Sequence, residues 1–281
     1  MKHYFITGGT GFLGRAIVRA LIQAPDVGSI TLLTRNAQRR YEMLSWDSRI
    51  KLYEGDITTA QLPYGIPFTH LIHGANEAND LLQPDQHAYY YTIVEGTNRV
   101  LDWAASIPTL HHRLIISSGA VSRDTTYGRA KRQAERLARC GANCIARVYS
   151  LIGEETPLNG QYALGQFLAQ AIYEKEVRLW GGAAQRTYIH VEDAARWLLT
   201  ILDCGTPLVP YDVAGEDPVS MGELATMIAN TFIVPIRVVR EDGKPRGPDL
   251  YLPQLRSSHS LGLKQTIGLH TALERLKLHY A

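Results

Sequence analysis

Cysteine is scarce in this chain, which has three, Cys140, Cys144 and Cys204, among its 281 residues. Three cysteines cannot build the disulfide framework of a small secreted domain. The spacing of Cys140 and Cys144 is not that of zinc ligands, and no histidine pair accompanies them. We therefore expect reduced thiols near the core, and we predict no metal site.

Long apolar runs and an excess of one charge are also lacking. No stretch reaches the roughly 18 apolar residues of a transmembrane helix, and the first residues form a strand pattern rather than a leader. The formal net charge of +2 gives no reason to expect a nucleic-acid or membrane partner. Hydrophobic residues at 45% and charged residues at 20% are typical of a soluble globular protein. The expected location is the cytoplasm.

Glycines near the N-terminus are spaced in a way that suggests a phosphate-binding turn. A short apolar strand at 3–7 leads into Gly8, Gly11 and Gly14, and an apolar helical pattern follows. Such a turn brings the backbone close to a pyrophosphate at a helix N-terminus, where free N–H groups and the helix dipole favour anions. A turn that is merely structural is the alternative interpretation. The predicted cofactor-binding residues here are Gly8, Thr10, Gly11, Phe12, Leu13 and Gly14.

Strands and helices alternate over the first 150 residues. The predicted strands are 3–7, 30–34, 50–54, 69–73, 112–117 and 143–148, and the predicted helices lie near 12–24, 86–106 and 127–140. This alternation predicts an α/β fold of the Rossmann type, with a doubly wound parallel sheet. Ligands then bind at the carboxyl ends of the strands.

The pattern changes after residue 150. Loops with Gly and Pro surround one helical pattern at 161–173, and 191–203 reads as a helix that returns to the sheet. Short strands, a helix near 219–231 and a terminal helix follow. We predict a dinucleotide-binding domain at 1–150 with a return segment at 191–204. A smaller C-terminal substrate lobe takes 151–190 and 205–281.

Two positions after predicted strands bear on the cofactor. Arg35 follows the second strand, where enzymes that prefer NAD usually have Asp or Glu and where an arginine favours the 2′-phosphate of NADP. Arg39 and Arg40 are expected to form a solvated basic loop. Asp56 follows the third strand, and it accepts either from an adenine amino group or, as a helix cap, from the backbone. We expect NADP, with NAD as the second choice.

Ser118, Tyr127 and Lys131 form the candidate catalytic group. Ser118 directly follows the predicted fifth strand, and Tyr127 and Lys131 share one face of the next helix. The pKa of a free tyrosine is near 10, too high for acid–base work at neutral pH, and a nearby lysine lowers it. Ser118 would hydrogen-bond the same substrate oxygen. A Tyr-x-x-x-Lys spacing is common by chance. The catalytic interpretation therefore depends on its position, on the helix that follows the fifth strand of a predicted dinucleotide-binding sheet.

Together these motifs resemble an extended short-chain dehydrogenase/reductase of the NAD(P)-dependent nucleotide-sugar epimerase/dehydratase family. The resemblance extends over nearly the whole chain, through segments 7–14, 55–57, 73–75, 94–97, 116–121, 147–149, 186–193 and 211–215. It implies Tyr–Lys acid–base catalysis with hydride transfer. It also implies a small-molecule substrate, a nucleotide-activated sugar, and a homodimeric enzyme.

The resemblance implies further binding residues. Arg186 resembles an arginine that binds a nucleotide diphosphate, and Arg246 and Asp249 resemble a segment that holds the diphosphate and ribose. Apart from the resemblance, Asn76 and its polar neighbours to Asn79 follow the fourth strand at its carboxyl end, where substrate binds. The cofactor contacts outside the glycine turn are expected to be Arg35, Asp56, Ile57, His73, Gly74, Ala75 and Lys131.

The chain departs from the family pattern in ways that narrow the chemistry. Dehydratases of the family have Asp-Glu directly after the catalytic serine or threonine, whereas this chain has Gly119 and Ala120, which transfer no proton. Ser150 stands where many members have asparagine, and the Ser118–Tyr127 spacing is short. We predict reduction or epimerisation of a nucleotide-activated sugar without 4,6-dehydration. The alternatives are reduction of a non-sugar carbonyl and a non-catalytic NADP-binding sensor or scaffold.

Overall fold

A computed structural model describes residues 1–36, 46–75, 85–158, 162–180, 182–239 and 249–281. Its strands are β1 (Lys2–Thr7), β2 (Val27–Thr34), β3 (Ile50–Glu54), β4 (His70–His73), β5 (His112–Ser118), β6 (Cys144–Val148), β7 (Ser150–Ile152), β8 (Val177–Trp180), β9 (Gln185–Arg186), β10 (Tyr188–His190), β11 (Pro210–Val213), β12 (Val219–Ser220), β13 (Ile236–Val239) and β14 (Leu250–Tyr251). Its helices are α1 (Phe12–Ile22), α2 (Gln86–Ala105), α3 (Thr126–Ala138), α4 (Ala163–Ala169), α5 (Val191–Cys204), α6 (Met221–Phe232), α7 (Arg256–Ser260) and α8 (Leu269–Tyr280).

Seven parallel strands form the central sheet, in the order β11-β6-β5-β4-β1-β2-β3. The chain winds from β1 outwards through β2 and β3, and then returns to place β4 on the other side of β1. The carboxyl ends of β1 and β4 therefore flank the point where the winding reverses, which is where such sheets bind ligands. The predicted doubly wound α/β fold is confirmed.

Helices cover both faces of this sheet. On one face, α1 and α5 bury an apolar stripe that includes Ile17, Leu21 and Trp197 against the strands. On the other, α2 covers Phe5 and Phe68 with Trp103. The close pairing of α2 and α3 follows from small side chains, because the buried positions of α3 include Ala130, Ala134 and Ala138. Burial of these faces provides the main stabilising free energy of the domain.

A second apolar core lies under the smaller sheets. It is formed by α4, α6 and α8, with residues such as Phe167, Leu224 and Leu273 buried. Three short sheets surround it, in the orders β10-β7, β12-β9-β14 and β13-β8. The predicted helix at 161–173 is α-helical only over α4, and it continues as a wider, π-helical turn at Gln170–Glu174. None of the helices in the described ranges has both the length and the apolar character that a membrane crossing requires.

One predicted boundary needs correction. Residues 205–281 were assigned to the substrate lobe, but β11 pairs with β6 as the last strand of the central sheet, with Tyr211 opposite Ala146. Tyr211 and Val213 are buried in the core of that sheet. Ser258 in α7 donates to the backbone oxygen of Asp212 at 2.6 Å, so α7 also packs on the sheet. Without β11, the N–H and C=O groups on the outer side of β6 would have no strand to pair with, and β11 covers them although it comes more than 60 residues later in the chain.

Candidate active site

A cleft of about 1470 Å³ follows the carboxyl ends of the central strands towards the second core. Its lining contains most of the site residues predicted from the sequence: Gly8, Thr10, Gly11, Phe12, Leu13, Gly14, Arg35, Asp56, Ile57, Gly74, Ala75, Ser118, Tyr127 and Arg186. Asn76 and Arg246 lie outside the residues that the structure describes, as do Arg39 and Arg40. One cleft thus joins most of the predicted cofactor positions with Ser118 and Tyr127, whereas Lys131 and His73 are buried and are not among its lining residues.

The glycine turn has the geometry of a dinucleotide site. Gly8 has φ +77°, and a Cβ there would lie 2.7 Å from the backbone of Gly74. A Cβ on Gly14 would collide with the backbone oxygen of Gly8. Helix α1 begins after Gly11, with no side-chain cap and no acidic residue in its first turn. Its first N–H groups therefore remain suited to an anion, and a pyrophosphate fits this cradle.

The ends of β2 and β3 meet at the rim of the cleft. Arg35 is exposed there, and the Asp56 carboxylate accepts from the Thr58 backbone N–H at 2.8 Å and from its hydroxyl at 2.6 Å. Burial would raise the pKa of Asp56, but the bonds from Thr58 and the charge of Arg35 hold it below its ordinary value. Asp56 therefore caps its own turn, which is one of its two predicted roles, and it also lines the cleft.

His73 lies beneath the cleft rather than on its wall. Its ring is buried, with Nδ1 2.7 Å from the Thr7 hydroxyl and Nε2 3.1 Å from the Thr97 hydroxyl. Thr7 Oγ1 accepts from the N–H groups of Gly74 and Ala75, so it donates its proton to Nδ1. Burial, with the charge of Lys131, lowers the pKa of His73 to about 3. His73 was predicted as a cofactor contact, and its neutral ring instead supports the turn that lines the cleft.

The candidate catalytic residues lie on β5 and on the first turns of α3. Thr125 caps α3 by accepting from the Gly128 N–H at 3.0 Å, which begins the helix just before Tyr127. Lys131 is 5% exposed, donates to the backbone oxygen of Ile116 at 3.1 Å, and lies 5.7 Å from the centre of the Tyr127 ring. Burial lowers the pKa of Lys131 to about 8, although the charge of Glu135 opposes this.

A buried ionic network under Lys131 was not anticipated from the sequence. Glu135 accepts from Ser117 at 2.7 Å and from Arg147 through two bonds, 2.8 Å from Nε and 2.7 Å from Nη2. This is the paired geometry in which arginine binds a carboxylate most strongly. The sequence signal was Glu135 at four residues beyond Lys131, on the same helix face.

Arg186 and Asp249, both predicted to bind substrate, are brought together. Arg186 Nη2 lies 2.5 Å from the Asp249 carboxylate, and Arg123 Nη2 lies 2.6 Å from its other oxygen. Arg123 also lines the cleft and was missed by sequence reasoning. Two guanidinium groups from the cleft lining thus converge on one carboxylate.

Two further tyrosines, also missed, fill the space beside Ser118. A Cβ on Gly119 would collide with the ring of Tyr149, and the Tyr149 and Tyr251 rings lie 4.8 Å apart. Tyr149 donates to Asp212 at 3.1 Å, and burial raises its pKa above the ordinary value. The hydroxyl of Tyr251 lies 3.2 Å from Ser118 Oγ. The Tyr149 ring therefore occupies the place that a side chain at position 119 would take.

Two histidine-containing groups in the described ranges have ligand atoms close enough to suggest a metal site. They are His70 with His112 and Asp203, and His190 with Glu154 and Glu192. The rings of the first pair are stacked within 5° of parallel at 4.5 Å, so an ion in one ring plane lies off the other. In the second group, Nδ1 of the histidine accepts a backbone N–H, which puts the proton on Nε2. Neither geometry favours a cation.

The family model described as NAD dependent epimerase/dehydratase family matches residues 4–213. The chain belongs to this family. It is an enzyme of the extended short-chain dehydrogenase/reductase type, as the sequence predicted.

Individual relatives fit this assignment. The chain is 32% identical over 162 residues to a dTDP-4-dehydro-6-deoxy-D-allose reductase of Streptomyces bikiniensis, a match that covers 54% of this chain and 49% of that protein. The match therefore spans about half the length of the curated relative. A UDP-glucuronic acid 4-epimerase of Bacillus cereus has a similar structure, with TM-score 0.86 at 17% identity over 99% of this chain and 98% of that one. A dTDP-glucose 4,6-dehydratase of Streptomyces venezuelae has TM-score 0.83 at 20% identity, over 99% and 96%.

Proposed function

We propose that this enzyme is an NADP(H)-dependent reductase that acts on the keto group of a nucleotide-activated sugar. The observation that supports it best is the wall beside Ser118, where Gly119 and Ala120 offer no acid or base and the ring of Tyr149 fills the space. Water elimination needs such a group, whereas carbonyl reduction needs one proton donor. The reductase from Streptomyces bikiniensis that this chain resembles supports the same choice.

In this proposal, Ser118 and Tyr127 hold the substrate carbonyl oxygen between them. Tyr127 donates the proton that the oxygen takes up, and the buried ammonium of Lys131 favours the phenolate left behind. When bound, the reduced nicotinamide supplies the hydride. The residues that would hold it are those of the glycine turn with Asp56, Ile57, Gly74 and Ala75.

The choice of NADP rests on Arg35. It lies at the exposed rim of the cleft, and the end of β2 reads Thr34, Arg35, Asn36 without an acidic side chain. A 2′-phosphate would gain a charge-assisted hydrogen bond there. NAD is the second choice, and several similar structures are complexes with NAD.

A nucleoside diphosphate is the proposed activating group of the substrate. Arg123 and Arg186 converge at the lobe end of the cleft, and their present partner is the carboxylate of Asp249. Diphosphate oxygens would suit the same guanidinium groups. Arg246 and Asn76 stay sequence-based candidates for substrate contacts. We further expect a homodimer that works in the cytoplasm.

The test is turnover with NADPH and a panel of dTDP-, UDP-, CDP- and GDP-linked 4-ketosugars, alongside non-sugar ketones. We expect oxidation of NADPH only with sugar nucleotides, and no 4-keto-6-deoxy product from the parent nucleotide hexoses. Tyr127→Phe should lose about 10²–10⁴-fold in rate, whereas Tyr91→Phe, a matched change at an exposed α2 position, should not.

Other product patterns decide against the proposal. Reduction confined to non-sugar ketones would favour the alternative raised by Ser150, which lines the cleft. Epimers formed without net cofactor oxidation would identify an epimerase. Tight NADPH binding without any turnover would favour a sensor or scaffold.

A further inference from the structure

Ser118 has both of its acceptor positions within reach of this chain's own donors. The backbone N–H of Ala120 donates to Ser118 Oγ at 3.2 Å, and the hydroxyl of Tyr251 lies 3.2 Å from the same oxygen. A serine hydroxyl has two lone pairs and one proton. When Tyr251 donates a hydrogen bond to Ser118 Oγ, both lone pairs of that oxygen are occupied. Ser118 can then bind a further partner only by donating its own hydroxyl proton.

The chemistry of the two hydroxyls makes Tyr251 the donor of the pair. A phenol is far more acidic than an aliphatic hydroxyl, so it is the stronger hydrogen-bond donor. Burial raises the pKa of Tyr251 above its ordinary value, although the charge of Arg123 opposes this. The phenol therefore keeps its proton at neutral pH and can donate a hydrogen bond to Ser118 Oγ.

The Tyr251 ring is held from several sides. Its strand, β14, pairs with β9, so the backbone of Tyr251 lies opposite Arg186. The guanidinium carbons of Arg123 and Arg186 lie 4.8 Å and 5.6 Å from the ring centre, within the range of cation–π attraction. The Tyr149 ring packs at 4.8 Å. Because the Tyr251 side chain is fixed in this way, its hydrogen bond can orient the hydroxyl group of Ser118.

We propose that Tyr251 is a positioning residue that makes Ser118 a pure hydrogen-bond donor towards the carbonyl oxygen of the substrate. The inference rests on the proposed reductase function and extends it to a residue outside the Ser–Tyr–Lys group. Since a carbonyl oxygen only accepts hydrogen bonds, a serine restricted to donation selects it and holds it for proton transfer from Tyr127. Strand β14 thereby contributes to the reduction step through the hydroxyl of Tyr251.

A double-mutant cycle tests this inference. Tyr251→Phe, Ser118→Ala and the double variant are compared in steady-state reduction of the best carbonyl substrate of the wild type. We expect Tyr251→Phe to lower kcat about tenfold or more, with KM changed less than about twofold. In the Ser118→Ala background the same change should cost less than about twofold, because the group through which Tyr251 acts is gone. Tyr149→Phe, which removes the neighbouring phenol that binds Asp212, should cost the same factor in both backgrounds.

The outcomes separate this inference from the proposed function. Equal losses from Tyr251→Phe in the two backgrounds would overturn the positioning role in an active enzyme. So would a change in KM with kcat intact, which would make Tyr251 only a wall of the substrate site. If the wild type reduces only non-sugar carbonyls, the proposed substrate falls while the cycle still decides the role of Tyr251. A wild type that transfers hydride to no carbonyl would overturn both.

Discussion

Glu135→Gln should be among the more damaging isosteric changes in this protein. The variant keeps one oxygen for Ser117 and Arg147 Nε, but its amide nitrogen replaces the oxygen that accepts from Arg147 Nη2 at 2.7 Å. Two donors then face each other, and Arg147 loses its counter-charge beside a carboxylate position that is 4% exposed. Hydrogen bonds to charged groups contribute about 1.5–3 kcal/mol each. We expect the free energy of unfolding to fall by about 2–4 kcal/mol.

The same change should alter the pH dependence of activity. The negative charge of Glu135 raises the pKa of Lys131 against burial, which lowers it to about 8. Without that charge the pKa of Lys131 falls further, so the ammonium that supports Tyr127 is lost at lower pH. The basic limb of the kcat profile should therefore move towards neutral pH in the variant.

Chemical denaturation and a pH–rate profile check both effects on one preparation. Glu192→Gln is the matched control, because Glu192 is an exposed helix residue with an ion pair to Arg275 at 3.2 Å. Such exposed pairs contribute about 0–1 kcal/mol. A Glu135→Gln protein that matches this control in stability, with the basic limb unmoved, would refute the reasoning.

Further expected outcomes concern the cofactor site and its support. Arg35→Ala should weaken NADPH binding by roughly 1–3 kcal/mol and leave NADH binding unchanged. Isothermal titration calorimetry measures both dissociation constants, and equal affinities of the wild type for NADPH and NADH would contradict this expectation. Gly14→Ala should cost about 1–3 kcal/mol in stability or a comparable loss in cofactor affinity, because its Cβ meets backbone, whereas Gly268→Ala, whose Cβ has open space, should cost less than about 1 kcal/mol, because alanine is only a poorer helix N-cap than glycine. His73 is neutral in the folded protein with a pKa of about 3, so below its ordinary pKa the unfolded chain binds one more proton. Stability should therefore fall as pH drops from about 6.5, by up to about 1.4 kcal/mol per unit, and this slope should shrink in His73→Gln if urea melts are compared between pH 6 and 4.5.

The sequence was informative about the sheet because short β-branched runs and glycine turns are local signals. The predicted strand at 50–54 has the bounds of β3, and the strand at 112–117 differs from β5 by one residue. The placement of β11 was not predictable in this way, because the strand with which it pairs, β6, is far away in the sequence and is brought beside it only by the tertiary fold. Residues 149–209 lie between the two paired strands in the chain.

The site shows the same division between local and distant signals. The Tyr127–Lys131 pair lies within α3, and the glycine turn lies between β1 and α1, which follow each other directly in the chain, so both spacings could be read from the sequence. Tyr251 is 133 positions from Ser118 in the chain, and it reaches Ser118 only because β14 adds to β9. Such a convergence depends on the register of a two-residue strand, which no periodicity in the sequence specifies.

The late arrival of β11 has a practical consequence for dissecting the molecule. A fragment that stops at residue 150 would contain most of the nucleotide-binding strands, but β6 would become an uncovered edge with free N–H and C=O groups. It would also lose α5, whose buried Trp197 and Leu198 cover one face of the sheet. A soluble minimal domain must therefore retain residues up to Val213, and a chain still being synthesised cannot complete this sheet until the excursion through the lobe has been made.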